Sequence, residues 1–345
     1  MDILAVDVGA GTQDILLYKD DVPLENSIKM VMPSQTVIVG RRIGRARQQN
    51  KDIFLSGFTM GGGASVRAIR RHLEGGLKVY STPSAALTIS DNLKKVVAMG
   101  VEIREEGPRG AVTIETSDLD IAALKNTFER FELSMPNNLA VAVQDHGYSP
   151  DRSNRIVRFE HMTDLLKSGG TLESFAHFNP PIYLNRMCAV KRFLEEEGFK
   201  PLIMDTGPAA LLGATQDINY LEPALVLNLG NGHTIGAVMM RGRMIALFEH
   251  HTSAMTPEKL NTLSEKLCEG TLTNSEVFED GGHGAHIEEA PGKENIRSVI
   301  VTGPNREKIL KPKFLQDFGK ITPASPGGDM MITGCLGLIK AWKMA

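Results

Sequence analysis

Short apolar runs alternate with longer amphipathic stretches along most of the chain. The apolar runs, each the length of a buried β-strand, occupy positions 3–6, 53–55, 139–143, 224–227 and 299–301. Segments with apolar residues three or four positions apart, as on one face of a helix, occupy positions 64–74, 121–131, 183–197 and 257–268. This alternation predicts an α/β protein with mixed sheets and helices on their faces.

Two segments, one in each half of the chain, share the same residue order. In each, an apolar strand ends in a polar residue, a Gly-x-Gly turn follows with a hydroxyl residue after it, and a second apolar strand begins. Because glycine lets backbone N–H groups approach an anion closely, both turns are candidate phosphate sites. The candidate residues are Gly9, Gly11 and Thr12 in the first segment and Asn228, Gly230, Asn231, Gly232, His233 and Thr234 in the second. Asp7, at the first strand tip, can hold a hydrated Mg²⁺ that phosphates share.

Three more segments complete a resemblance to a known superfamily. A strand ending at Asp205 leads into a small-residue helix, a strand at 298–302 leads into the turn at Gly303, and small residues line a helix at 328–341. With the two hairpins, these segments resemble the phosphate loops, connecting segments and adenosine motif of the actin, sugar kinase and heat-shock chaperone ATPase superfamily. The resemblance implies two ribonuclease H-like domains around a central cleft. It places them at 1–217, with an insertion near 148–182, and at 218–345, ending in the second connecting helix.

The resemblance also implies ATP and Mg²⁺ as cofactors, with Asp7 as the metal holder. Asp145 and Asp205 each follow an apolar strand, and both are candidates for the residue that orients the attacking oxygen. Asn228 stands where an acid is usual in the superfamily, so we expect hydrolysis to be slow. The expected function is slow ATP hydrolysis or phosphoryl transfer to a small molecule. The alternative is a non-catalytic nucleotide or metabolite sensor that regulates a partner protein.

Four short phrases resemble a narrower group. The segments at 59–63, 143–147, 205–210 and 280–284 are similar to those of an uncharacterised prokaryotic family sometimes labelled pyruvate formate-lyase activating-like. Radical enzymes of that kind hold an iron–sulfur cluster with closely spaced cysteines. Here Cys188, Cys268 and Cys335 are far apart in the sequence, so we expect no radical chemistry from this chain itself.

Composition gives no reason to expect a nucleic-acid or membrane partner. The chain has 38 Lys and Arg against 41 Asp and Glu, a net charge of −3, which provides no bulk attraction to polyanions. No apolar stretch is long enough to span a bilayer, and three scattered cysteines suit a reducing compartment. We therefore expect a soluble, cytoplasmic protein that binds a nucleotide and either a small-molecule substrate or a partner protein. Oligomerisation is left open.

Two histidine-containing segments, 249–251 and 280–286, carry the last candidate chemistry. Histidines separated by glycines in a loop rarely converge on one ion, so the sequence favours contact with a substrate or partner, or simple surface polarity, over a metal site. The sequence pattern also predicts a strand at 36–40 and a hairpin joining 101–104 to 111–115.

Overall fold

The computed structural model describes residues 1–216, 219–310, 315, 318 and 320–345. The predicted domain boundary between 217 and 218 lies outside the described residues. Within the described part of the chain, no helix has both the length and the apolar character needed to cross a membrane.

Twelve α-helices and sixteen strands in the described ranges carry the fold. Residues 1–120 contain β1 (Asp2–Val8), β2 (Thr12–Lys19), β3 (Ile28–Pro33), α1 (Gln35–Gln48), β4 (Ile53–Gly57), α2 (Ala64–Glu74), β5 (Val79–Ser81), α3 (Pro83–Ala86), α4 (Leu93–Ala98), β6 (Val101–Ile103) and β7 (Val112–Thr116). Residues 121–216 contain α5 (Ile121–Arg130), β8 (Asn138–Ala142), α6 (Asn154–Lys167), β9 (Ala176–His177), α7 (Asn185–Glu196), β10 (Lys200–Met204) and α8 (Thr206–Gln216). The remainder contains β11 (Ala224–Leu229), β12 (His233–Met240), β13 (Arg243–His251), α9 (Pro257–Cys268), α10 (Asn274–Glu279), β14 (Gly284–Ile287), β15 (Ser298–Thr302), α11 (Arg306–Ile309), β16 (Ile321–Pro323) and α12 (Thr333–Met344).

Two six-stranded sheets repeat one topology. The first has the order β3-β2-β1-β8-β10-β9 and the second β14-β13-β12-β11-β15-β16. In each sheet three consecutive strands pair antiparallel, and the first of them also pairs with a parallel strand on its other side. The next strand outward is again parallel, β10 beside β8 and β16 beside β15. This duplicated mixed sheet, with helices on its faces, confirms the predicted fold class.

A third sheet corrects one local prediction, and helix α1 corrects another. Strands β6-β5-β4-β7 are all parallel, so β6 and β7 lie at opposite edges and the predicted hairpin between them was wrong. The predicted strand at 36–40 lies inside α1. That helix buries Val39, Ile43 and Ala46, spaced four and three positions apart, and this packing overrides the strand preference of a β-branched run.

The helices α8 and α12 cross between the two large sheets with almost no space between their backbones. A Cβ atom placed on Gly213 would overlap the Thr333 carbonyl, and one on Gly337 would overlap the Ala209 carbonyl. One apolar cluster runs through both sheets and both helices, from Ala5 in β1 to Val226 in β11. The two halves therefore share a core at this crossing, where the small residues of both helices allow the close approach.

Candidate functional site

The two Gly-x-Gly turns have the same backbone structure. The Gly9 N–H donates to the Thr12 carbonyl at 2.8 Å, and the Gly230 N–H donates to the His233 carbonyl at 3.0 Å. The third residue of each turn, Gly11 or Gly232, accepts through its carbonyl from an N–H just beyond the third strand of its sheet, at 3.1 and 3.0 Å. The two segments are therefore similar in backbone structure as well as in sequence.

The tips of the two turns lie close to each other, and residues of both turns line one cavity of about 860 Å³. A Cβ atom on Gly11 would lie 3.7 Å from the Asn231 Nδ2, and one on Gly232 would lie 3.5 Å from the Ala10 Cβ. The predicted residues that line the cavity are Asp7, Gly9, Thr12, Asp145, Asn228, Gly230, Asn231, Gly232, His233 and Gly303. The structure thus brings the two loops together, as their internal similarity predicts.

Two predicted loop residues act at the base of the second turn. Thr234 is fully buried, and its hydroxyl bonds to that of Thr252 at 3.1 Å, so it supports the turn from below. Gly303 has φ +97°, and a Cβ atom there would overlap the Leu229 backbone. Asn305 then donates through Nδ2 to the Gly230 carbonyl at 2.9 Å. The predicted adenosine motif is therefore packed directly against the second turn.

A pair of carboxyl groups lies at the base of the first turn. Asp7 and Asp14 are directly opposite in the β1–β2 register and both line the cavity. Burial, assisted by repulsion from Asp205, raises the pKa of Asp7 to about 6, although the Thr206 hydroxyl donates to its Oδ1 at 2.6 Å. Burial and the neighbouring Asp7 raise the pKa of Asp14 to about 8. The Oδ1 of Asp14 is buried and has no hydrogen-bond partner among the described residues.

Arg158 of α6 joins the two halves through a buried ion-pair network. The side chain is 2% exposed, and all five of its N–H groups have acceptors. Two donate to the Asp205 carboxylate at 2.6 and 3.0 Å, two donate to the Glu249 carboxylate at 2.6 and 2.9 Å, and one donates to the Asp145 carbonyl at 2.7 Å. Burial opposes the charge of Glu249, but Arg158 beside it holds its pKa below the usual value.

The two candidate bases therefore differ in their surroundings. Both Asp205 oxygens accept from Arg158, and Oδ1 also accepts from the Gly207 N–H at 3.1 Å. Asp145 is buried at the cavity wall, where its oxygens accept from the Gly147 and Met187 N–H groups at 2.8 and 2.9 Å. Burial raises the pKa of Asp145 to about 6. Asp145 thus faces the cavity, whereas Asp205 is held by the ion-pair network behind it.

Four histidines converge beside the second turn, contrary to the expectation from the sequence. The ring centroids of His233, His251 and His283 lie 4.9–5.0 Å from one another, and His146 lies 5.4 Å from His283. His283 is 1% exposed, so it does not provide surface polarity. The glycines beside it pack tightly: a Cβ atom on Gly282 would lie 2.6 Å from the His250 ring. These glycines hold the segment in place, and this is why a sequence argument based on loop flexibility failed.

Sequence reasoning missed Arg158 and Asp14. Arg158 lies in a stretch, 148–182, that was predicted only as a weakly periodic insertion, but α6 occupies 154–167 of it. The signal was the spacing of Phe159, Met162 and Leu166, which form one buried stripe with the arginine beside it. Asp14 could have been found by pairing the two strands around a two-residue turn, which places it opposite Asp7.

The duplicated sheets, the crossing helices and the paired turns define the class of this protein as an actin-like ATPase-type fold. The family model described as "Putative pyruvate format-lyase activating enzyme (DUF1786)" matches residues 60–308, and the chain belongs to that family. No curated protein matches the sequence significantly.

Several solved structures are similar over almost their whole length. The inorganic polyphosphate/ATP-glucomannokinase from Arthrobacter sp. strain KM is 12% identical, with 100% of this chain and 99% of that chain covered and a TM-score of 0.39. A PilM–PilN type IV pilus biogenesis complex is 11% identical, covering 99% and 98%, with a TM-score of 0.39. The apo ParM protein of pSK41 is 13% identical, covering 99% and 97%, with a TM-score of 0.33. The fold assignment rests on the strand order given above.

The cysteines occupy three separate environments. Cys188 contacts the Pro180 and Pro181 carbonyls, Cys268 lies in the core of the second sheet, and Cys335 of α12 donates to the Asp14 carbonyl at 3.0 Å. The three cysteines therefore lie in different parts of the fold.

Proposed function

We propose that this protein binds ATP·Mg²⁺ in the cavity between its two large sheets and turns it over slowly, by hydrolysis or by transfer to a small molecule. The observation that carries the proposal is the pair of matching Gly-x-Gly turns that face one cavity. Backbone N–H groups in such turns suit phosphate oxygens. The cavity volume of about 860 Å³ is in the range of small-molecule and cofactor sites.

The acidic pair suits the metal. Two adjacent carboxyls with raised pKa values, one of them with an unpartnered buried oxygen, are stabilised by a bound divalent cation. Asp7 and Asp14 would hold Mg²⁺ on the side of the first turn, and Asn228 would face it from the second. When bound, the ion neutralises charge on the transferring phosphoryl group.

Asp145 is the better candidate for the base. It borders the cavity, and a carboxyl with a pKa of about 6 can accept a proton near neutral pH. Asp205 is proposed as a positioning residue, because its carboxylate holds Arg158, which in turn donates to the Asp145 carbonyl.

Asp7→Asn tests the metal and nucleotide assignment by titration calorimetry with ATP, with and without Mg²⁺. We expect the wild type to bind more tightly with Mg²⁺ and the variant to lose that difference, because its amide carries no charge. Asp2→Asn is the matched control, since Asp2 is an exposed acid on the same strand. When the free ATP·Mg²⁺ concentration is 100 times its Kd, the wild-type protein should also gain about 2.7 kcal/mol of stability. Equal Mg²⁺-dependent affinity in wild type and Asp7→Asn would refute the assignment.

The sensor alternative keeps one observation in its favour. The position equivalent to Asp7 in the second hairpin is the neutral Asn228, so the second turn brings no charge to a metal. Under that alternative ATP binds but phosphate is not released. A steady-state phosphate-release assay on the protein used for calorimetry separates the two functions.

A further inference from the structure

Three imidazoles from distant parts of the chain meet at the edge of the cavity. His146 follows β8, His233 is the first residue of β12, and His283 directly precedes β14. One ring nitrogen from each histidine lies within 4.8 Å of one ring nitrogen of the other two. His146 and His233 also line the cavity, so the cluster borders the space between the two halves.

The closest pair already has the separation of two ligands on one metal ion. The Nε2 atoms of His146 and His283 lie 3.3 Å apart. Two nitrogens bound tetrahedrally at 2.0–2.1 Å from a zinc ion are about 3.3–3.4 Å apart. The third member of the face is His233, whose ring centroid lies 4.9 Å from that of His283.

One nitrogen of the cluster has no partner in the part of the protein that the structure describes. The Nε2 of His233 is buried and has no hydrogen-bond partner among the described residues. An unpartnered buried imidazole nitrogen is costly in a protein interior, and a bound metal ion removes that cost.

A carboxylate stands behind the cluster in the position that metal-binding histidines commonly use. The Oε2 of Glu249 lies 3.9 Å from the Nδ1 of His283, the nitrogen that faces away from His146. Arg158 and Gln144 fix this carboxylate, Gln144 by donating to its Oε1 at 3.2 Å. The Nδ1 of His283 makes no hydrogen bond among the described residues, so Glu249 is the carboxylate near enough for this ring to turn toward when the other nitrogen binds a metal. A carboxylate in that position orients the ring and strengthens it as a ligand.

We propose that His146, His233 and His283 bind one divalent transition-metal ion of the Zn²⁺ type, with Glu249 as the carboxylate behind His283. Three imidazoles leave a coordination position open toward the cavity, which is the arrangement that accepts water or a substrate oxygen. The ion would join the two halves, since His146 belongs to the first large sheet and His233 and His283 belong to the second. This inference does not depend on ATP binding.

The test uses full-length protein with any affinity tag removed, because a histidine tag would bind the same metals. Protein is stripped with a chelator and titrated with Zn²⁺ alone and with Co²⁺ alone, without nucleotide or Mg²⁺. We expect about one ion per chain, a rise in the thermal midpoint on binding, and the intense Co²⁺ absorption typical of four-coordinate sites.

Variants identify the ligands. His146→Ala and His283→Ala should each weaken Zn²⁺ binding by more than roughly 100-fold, since even a residue behind the ligands contributes 10–100-fold. His286→Ala is the matched control, because His286 lies three residues away and contacts Glu288 outside the cluster. It should bind like the wild type. Circular dichroism of each stripped variant shows whether it is folded, and His283→Gln provides a second variant of similar volume if His283→Ala is not.

Three results would overturn the proposal. The first is the absence of Zn²⁺ or Co²⁺ binding by the stripped wild type at micromolar concentrations. The second is equal affinity in the wild type and in a folded His283 variant. The third is equal loss of affinity in His286→Ala, which would indicate a surface site. Because no nucleotide is present, failure here leaves the ATP·Mg²⁺ assignment to its own test.

Discussion

Replacing Arg158 by Met tests whether one buried arginine holds the two halves together. The variant leaves Asp205 and Glu249 buried without their cation, since their side chains are 5% and 2% exposed. Breaking a buried pair by removing one partner costs about 3–5 kcal/mol, because the remaining charge is uncompensated. That is a large part of the ~5–15 kcal/mol that stabilises a folded protein. We expect the thermal midpoint to fall by roughly 5–15 °C.

The assay is thermal and urea unfolding followed by circular dichroism and by the fluorescence of Trp342. This tryptophan lies on α12 and packs against Phe178 with ring centroids 5.2 Å apart, so it reports the docking of α12 on the first half. Arg192→Met is the control, because Arg192 makes an ion pair with Glu196 on an exposed helix face. Such pairs contribute about 0–1 kcal/mol.

A combined variant separates charge from packing. Arg158→Met with Asp205→Asn and Glu249→Gln removes all three charges at similar volume, and it should recover at least half of the lost stability. If Arg158→Met is no less stable than Arg192→Met, the network does not join the halves. If the combined variant is as unstable as the single one, the loss comes from packing and the electrostatic argument is wrong.

Two further predictions concern the second turn and the helix crossing. Asn228→Asp should raise ATP hydrolysis roughly tenfold, ~1.4 kcal/mol of barrier, because it restores an acid to the strand tip opposite Asp7; a lower phosphate-release rate than wild type would show that the asparagine is preferred for function. Gly337→Ala should destabilise the protein by at least about 1 kcal/mol and up to about 3 kcal/mol, because the added methyl group overlaps the Ala209 carbonyl. Gly44→Ala is the control, because Gly44 lies on a helix with open space around it, and this variant should be more stable by about 0.5–1 kcal/mol. Equal urea midpoints for the two alanine variants would contradict the close crossing.

Local residue order was enough to predict the two turns. Gly9, Gly11, Gly230 and Gly232 lie in tight turns, which four to six neighbouring residues determine. The third sheet was harder, because its parallel strands pair across intervening helices and leave no turn signal in the sequence.

The histidine cluster could not be predicted from local order at all. His146 and His283 are 137 positions apart and meet only because two sheets place the ends of their strands at one cavity. For the same reason, no spacing in the sequence relates Arg158 to Glu249, 91 positions away. Sites of this kind depend on tertiary packing, and the periodicity of apolar residues does not predict which distant residues meet.

The position of α12 has a consequence for synthesis on the ribosome. β1 is made first, yet the helix that covers it, α12, is made more than 300 residues later and contacts β1, β2 and β8. At typical elongation rates that delay is on the order of 20–60 s, during which one apolar face of the first sheet lacks its cover. The four-stranded sheet at 53–116 pairs only strands close in sequence and can form during this time. The nascent first sheet therefore exposes apolar surface to other chains until α12 is made.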